Sequence, residues 1–134
     1  GKINQLGDLD EVLALCQLDE RLIPCIDFGH LYARSLGRDD GEEAMVRMLD
    51  QVAAALGQDR ASRFHSHFSH IEFTLKGGEK CHRTFEDDGG YGPDWTPLAR
   101  QVALRGWSPT FICESAGTQA RDAREMKRIY QEFL

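Results

Sequence analysis

The chain has 134 residues, enough for one domain with a real core but short for eight β/α units. Hydrophobic residues make up 41% and charged residues 28%, which excludes a disordered or fibrous chain. No apolar run is long enough to cross a bilayer and the first residues do not read as a signal peptide, so a cytoplasmic protein with no membrane partner is expected. Sixteen Lys and Arg against 22 Asp and Glu give a net charge of −6, which weighs against polyanion binding driven by side-chain cations alone. Metal ions in a site can supply the missing positive charge.

The first helix opens at Asp8, with Glu11 three residues on as a capping box, and Leu9, Val12, Leu13 and Cys16 form its apolar stripe. Residues 22–27 are a short apolar strand with Pro24 near its start. Residues 41–56 form a second helix, capped by Asp40 with Glu43 completing the box and stopped by Gly57; its stripe is Met45, Met48, Leu49, Val52 and Leu56. Residues 64–71 read as a second strand, unusually rich in histidine. Residues 76–93, with five glycines and no strong periodicity, read as a long irregular loop of the functional kind. A third helix spans 95–104, between the cap Asp94 and the stop Gly106. Residues 110–114 form a third strand, and Thr118 caps a last helix with the stripe Ala123, Met126, Ile129, Tyr130 and Phe133.

Three strands alternating with about four helices imply a parallel sheet with right-handed crossovers. Such a sheet wants both faces covered and its edges paired, and three strands leave two open edges. The four cysteines form no Cys-x-x-Cys pair, and Cys25 and Cys113 fall inside apolar strand-like runs. This favours reduced, buried cysteines over a disulfide or a thiolate zinc site.

Chemistry gathers at the C-terminal ends of the strands, where parallel α/β folds build their sites. The first strand ends in Asp27, followed by His30. The second carries His65 and His67, with His70 just beyond. The third ends in Glu114, a carboxylate that would be costly to bury unpaired inside Phe-Ile-Cys-Glu-Ser. Singly, each residue is more simply a cap, a hydrogen-bonded ring or a solvated charge. Together, carboxylates and imidazoles at neighbouring strand ends match the donors that Zn²⁺ or Mn²⁺ prefer. His65 and His67 face the same side of a strand, so either can be the ligand.

At Ile26-Asp27-Phe28-Gly29-His30, Phe64-His65-Ser66-His67-Phe68-Ser69, His82 and Ile112-Cys113-Glu114-Ser115, the sequence resembles the endonuclease IV family of apurinic/apyrimidinic endonucleases, within the xylose isomerase-like barrels. The resemblance covers nearly the whole chain. It implies the C-terminal part of a (β/α)8 TIM barrel: the last three β/α units plus one leading helix, residues 1–134 being a single partial barrel domain. It implies Asp27, His65 and Glu114 as ligands of one divalent metal, with Asp27 and Glu114 the catalytic carboxylates, and His30 and His82 as ligands of another. The family's third ligand at that second metal is an aspartate two positions before the second histidine; here that position is Lys80, with Glu79 adjacent. His67, Lys80 and Arg83 fall where they would support the ligands or contact a phosphate; solvated loop charges are the plain alternative for Lys80 and Arg83. Gly1-Lys2 resembles the segment just after the strand that bears a bridging glutamate, so that glutamate and the earlier histidines are expected outside this chain.

The function implied is that of part of a metal-dependent phosphodiesterase acting on abasic or damaged DNA. Two rivals stand beside it: a single-metal sugar isomerase or epimerase of the same superfamily, and an inactive piece whose open edges drive it to associate with copies of itself.

Overall fold

The computed structural model describes residues 2–134. Ten elements follow in order: α1 (Leu9–Cys16), β1 (Cys25–Asp27), α2 (Phe28–Arg34), α3 (Gly41–Ala61), β2 (His65–Phe68), β3 (Ile71–Thr74), β4 (Gly78–His82), α4 (Trp95–Arg105), β5 (Thr110–Cys113) and α5 (Gln119–Gln131). The protein is mixed α/β. A three-stranded parallel sheet has the order β1-β2-β5, and β3 and β4 form a separate antiparallel pair.

Local signals account for most boundaries. The Asp8 carboxylate accepts from the Glu11 backbone N–H at 2.8 Å and Glu11 accepts from the Asp8 N–H at 3.1 Å, closing the capping box of α1. Asp94 caps α4 through the Thr96 N–H, and Gly106 ends it in the left-handed region. Gly57 interrupts α3 at φ 79°, but the chain resumes a helical turn to Ala61 before the sheet.

One face of the sheet carries the core. Ile26, Ser66, Phe68 and Cys113 are buried beneath α3 and α4, which contribute Met45, Met48, Leu49 and Val52, and Trp95, Leu98, Ala99 and Val102. The Trp95 ring meets Phe68 and Phe111 edge-on at centroid distances of 5.0 and 4.8 Å. Ser66, polar and fully buried, is satisfied because its hydroxyl donates to the Ile26 carbonyl of the neighbouring strand. The opposite face carries Cys25, Asp27, His65, His67, Thr110 and Ile112, none of them buried.

Four expectations need correction. Residues 64–71 are not one strand: β2 stops at Phe68, Ser69 and His70 turn the chain, and β3 starts at Ile71. The stretch 76–93 is not wholly irregular, since β4 lies within it; its Gly-Glu-Lys-Cys-His sequence has no apolar alternation to betray a strand. Five helices are present rather than four, because α2 follows β1 without a loop and Asp27 serves both as strand end and as helix cap. Cys25 is exposed, since its strand position points it to the uncovered face; all four cysteines are free thiols. Among the described residues no helix is long and apolar enough to cross a membrane.

Gly29 lets α2 lie against the turn after β2. A Cβ there would stand 2.7 Å from the Ser69 carbonyl oxygen and 2.8 Å from Ile71 Cγ1. The carbonyl belongs to the backbone and cannot swing aside. Gly29→Ala should therefore destabilise the fold by about 1–3 kcal/mol, the usual cost of overpacking. Urea unfolding followed by circular dichroism should show a lower midpoint; an unchanged one would mean that α2 does not dock this tightly.

Candidate metal centre

Parallel register decides which side chains meet. Cys25 pairs with His65 and Thr110 lies beside His65 in turn; Asp27 pairs with His67, and Ile112 lies beside His67. Residues two apart share a face, so the uncovered face presents Cys25, His65 and Thr110 in one row and Asp27, His67 and Ile112 in the next. Glu114 comes two residues after Ile112. Its backbone N–H donates to the Phe68 carbonyl at 2.9 Å, which carries the ladder one residue past β5 and aims the carboxylate at the same face.

Asp27 divides its oxygens between two tasks. Oδ1 accepts from the His30 backbone N–H at 2.9 Å and caps α2, while Oδ2 stands 3.0 Å from His30 Nδ1 and 3.8 Å from His67 Nδ1. Burial pushes its carboxyl above the ordinary aspartate value, against the pull of the His30 ring and N–H, and the Glu114 carboxylate adds to the rise. His67 Nδ1 also lies 3.4 Å from Glu114 Oε1.

A second group forms where α2 meets β4. The His30 and His82 rings lie 5.9 Å apart, and Ser69 Oγ hydrogen-bonds His82 Nδ1 at 2.7 Å, so His82 Nε2 is the nitrogen left for the site. Glu79 reaches between the two rings: one oxygen is 3.1 Å from His30 Nε2 and the other 3.6 Å from His82 Nε2. His30 Nε2 is buried and makes no hydrogen bond among the described residues.

A β-bulge places Glu79 there. Cys81 pairs with Glu72 while Glu79 pairs with Phe73, so Lys80 is the extra residue between them. Such an insertion reverses the alternation of a strand. Glu79 is thereby brought to the side of His82, and Lys80 is turned to the other side, where it meets Glu72 at 2.7 Å. Arg83 donates to the same Glu72, through Nε at 2.8 Å and through Nη2. Lys80 and Arg83, expected near a phosphate, thus both face this carboxylate.

The donor atoms of Asp27, His67 and Glu114 lie within 4.8 Å of one another, and so do those of His30, His82 and Glu114. Oxygen and imidazole donors in such groups suit a divalent cation. An imidazole nitrogen buried without a hydrogen bond fits the same role. Of the five residues expected as ligands, Asp27, His30, His82 and Glu114 come together. His65 stands one row away, and its place beside Asp27 and Glu114 is taken by His67, because Asp27 registers with His67 and not with His65. His70 turns aside: it stacks on Phe85 at 4.8 Å, and burial holds its pKa below the ordinary histidine value. Glu79 and Ser69 were not anticipated as site residues. Glu79 lies one position off the spacing sought, and no residue pattern announces a bulge. Beside the centre a cleft of about 280 Å³ is lined in part by Leu6, Asp27, His30, Arg34 and Glu79.

With this geometry in place, comparison with known proteins finds a relative of similar sequence. The chain is 35% identical over 133 residues to Uncharacterized protein MJ0133 of Methanocaldococcus jannaschii, a match taking in 99% of this chain and 46% of that protein. The chain therefore spans about half the length of this curated relative. No family model matches the chain, and no solved structure does.

The two cations on Glu72 hold its carboxyl far below the ordinary glutamate value, at about 2, the Lys80 hydrogen bond contributing most and Arg83 next. A carboxyl depressed in the folded state stabilises it at any pH above its unfolded value, and that contribution fades as pH falls toward the folded value. Compared with Glu72→Gln, the wild-type chain should have a higher urea midpoint at neutral pH. The gap should close between about pH 4.5 and 2. A gap that stays constant across that range would exclude Glu72 as a clamp on the hairpin.

Proposed function

We propose that the chain is the C-terminal part of a (β/α)8 barrel hydrolase resembling endonuclease IV, holding two neighbouring divalent cations, Zn²⁺ or Mn²⁺, for cleavage of a phosphodiester in abasic or damaged DNA. The observation that carries this reading is that Glu114 belongs to both donor groups, so one carboxylate lies between two cation positions. Asp27, His67 and Glu114 would hold one cation. His30, His82 and Glu114 would hold the other, with Glu79 beside the two rings in place of the aspartate that the family resemblance leads one to seek at Lys80.

Cations bound there would polarise a phosphoryl oxygen and acidify a water molecule for in-line attack. The protein's own groups set the stage. Asp27 and Glu114 supply the negative charge that retains the cations beside a polyanion. Ser69 fixes the His82 ring so that Nε2 faces the site. Lys80 and Arg83 are taken up by Glu72, with Asp87 3.9 Å from Arg83, so neither is offered to a phosphate here. Nucleic acid binding by a chain of net charge −6 would rest on the cations in the site.

Metal stoichiometry separates this reading from the single-metal isomerase. After dialysis with Mn²⁺, elemental analysis should find two equivalents per chain. Glu79→Gln and His82→Ala should each lose one, and Lys80→Ala should lose none. One equivalent in the wild-type chain would favour the isomerase. Incision of a duplex bearing a single abasic site should require a polypeptide that includes this chain with both positions intact. If added metal never produced incision, the nuclease reading would be abandoned.

A further inference from the structure

The uncovered sheet face holds a third group of donors, which extends from His67 to the row nearer the N-terminal ends of the strands. Cys25, His65 and His67 each offer a sulfur or nitrogen atom, and these atoms all lie within 4.8 Å of one another. Backbone register fixes the arrangement: Cys25 is paired directly with His65, and His67 follows two residues later on the same side. The two imidazoles meet edge-on with centroids 5.6 Å apart. Cys25 is exposed and unoxidised. None of the carboxylates of the centre above enters this group.

We infer that Cys25, His65 and His67 form a separate thiolate–imidazole site for a borderline-soft divalent metal, Zn²⁺ before Mn²⁺. One sulfur and two nitrogens match zinc sites that leave a fourth, open position, whereas Mn²⁺ favours oxygen. Zinc–ligand lengths set neighbouring donor atoms roughly 3.5 Å apart in a tetrahedral site. Atoms already within 4.8 Å need to close by little more than an ångström, a movement that side-chain torsions of exposed and half-exposed residues provide. The inference goes beyond the proposed phosphodiesterase and does not depend on it. The two regions meet at His67, whose Nδ1 lies on the side of Asp27 and Glu114. Filling one site therefore alters the other through a shared ring.

Cobalt reports the site directly, since a thiolate bound to Co²⁺ gives a sulfur-to-metal charge-transfer absorption that carboxylate and imidazole ligands lack. The reduced full chain, freed of metal by chelation, is titrated with Co²⁺ at neutral pH and then with Zn²⁺. The wild-type chain and Cys81→Ser should develop the band to a plateau of one thiolate-bound Co²⁺ per chain, and Zn²⁺ should abolish it. Cys25→Ser should lose it, and His65→Ala should weaken Co²⁺ binding at least tenfold, each with an unchanged circular dichroism spectrum. Glu114→Gln, which disables the carboxylate centre, should keep the band. Zn²⁺ should also slow alkylation of the Cys25 thiol in the wild-type chain but not in His65→Ala. No band in the wild-type chain, a band surviving Cys25→Ser, or a band lost with Cys81→Ser would overturn the inference. Loss of the band in Glu114→Gln would overturn its independence from the carboxylate centre.

Discussion

Asp27 must satisfy a helix and a site with one carboxylate. Oδ1 closes the N-terminus of α2 through the His30 N–H, and Oδ2 faces the His30 and His67 rings. Because cap and site share a residue, α2 begins where the strand stops, and His30 is delivered three residues later to the same rim. Gly29 makes this abrupt start sterically feasible, since α2 then packs directly on the Ser69 carbonyl. The cost is a charge held where burial disfavours it. A fold seldom keeps such a charge without a polar partner, and the rings of His30 and His67 are the groups that face it here.

A second constraint acts through one inserted residue. Without the bulge at Lys80, strand alternation would place Lys80 on the side of His82 and Glu79 on the side of Cys81. An ammonium would then face His30 and His82, and a cation could not bind there. The bulge exchanges the two side chains. Glu79 joins the histidines, and Lys80 joins Arg83 on Glu72, where both charges are offset by a carboxylate. Glu79, one position off the spacing sought, thus reaches the histidines through register.

What the sequence disclosed and what it hid follow from these two devices. The ends of β1 and β5, the helices with acidic caps and the stop at Gly106 were legible because caps and apolar stripes act over one or two turns of chain. The facing of Asp27, His30 and Glu114 followed from the direction of parallel strands. The choice of His67 over His65 was illegible, since both point to the same face and only the pairing of β1 with β2 distinguishes them. The β3–β4 hairpin escaped notice because its residues are selected by what they touch across the bulge: Glu72 for two cations, Glu79 for two rings, Phe73 for the edges of Tyr32 and Tyr91. Such long-range choices leave no periodic trace.

The uncovered face has its own chemical order. Nearest the C-terminal ends of the strands stand the carboxylates and the His30–His82 pair, fed by loops and by a helix start. One row deeper stand a thiol and an imidazole, Cys25 and His65, fixed by the strands themselves and reached by His67 from the row above. Oxygen donors at the rim can follow a hydrated cation as it moves, while sulfur and nitrogen donors below are held by hydrogen-bonded backbone and favour a metal that gives up water readily. The apolar Ile112, beside His67 on this face, leaves the third strand with no donor in that row, so donors in both rows gather toward β1 and β2. A face so furnished yet uncovered is poorly suited to water on its own account, since parallel sheets ordinarily bury both sides. In the proposed barrel it would turn inward, and both rows of donors would then lie inside the closed sheet.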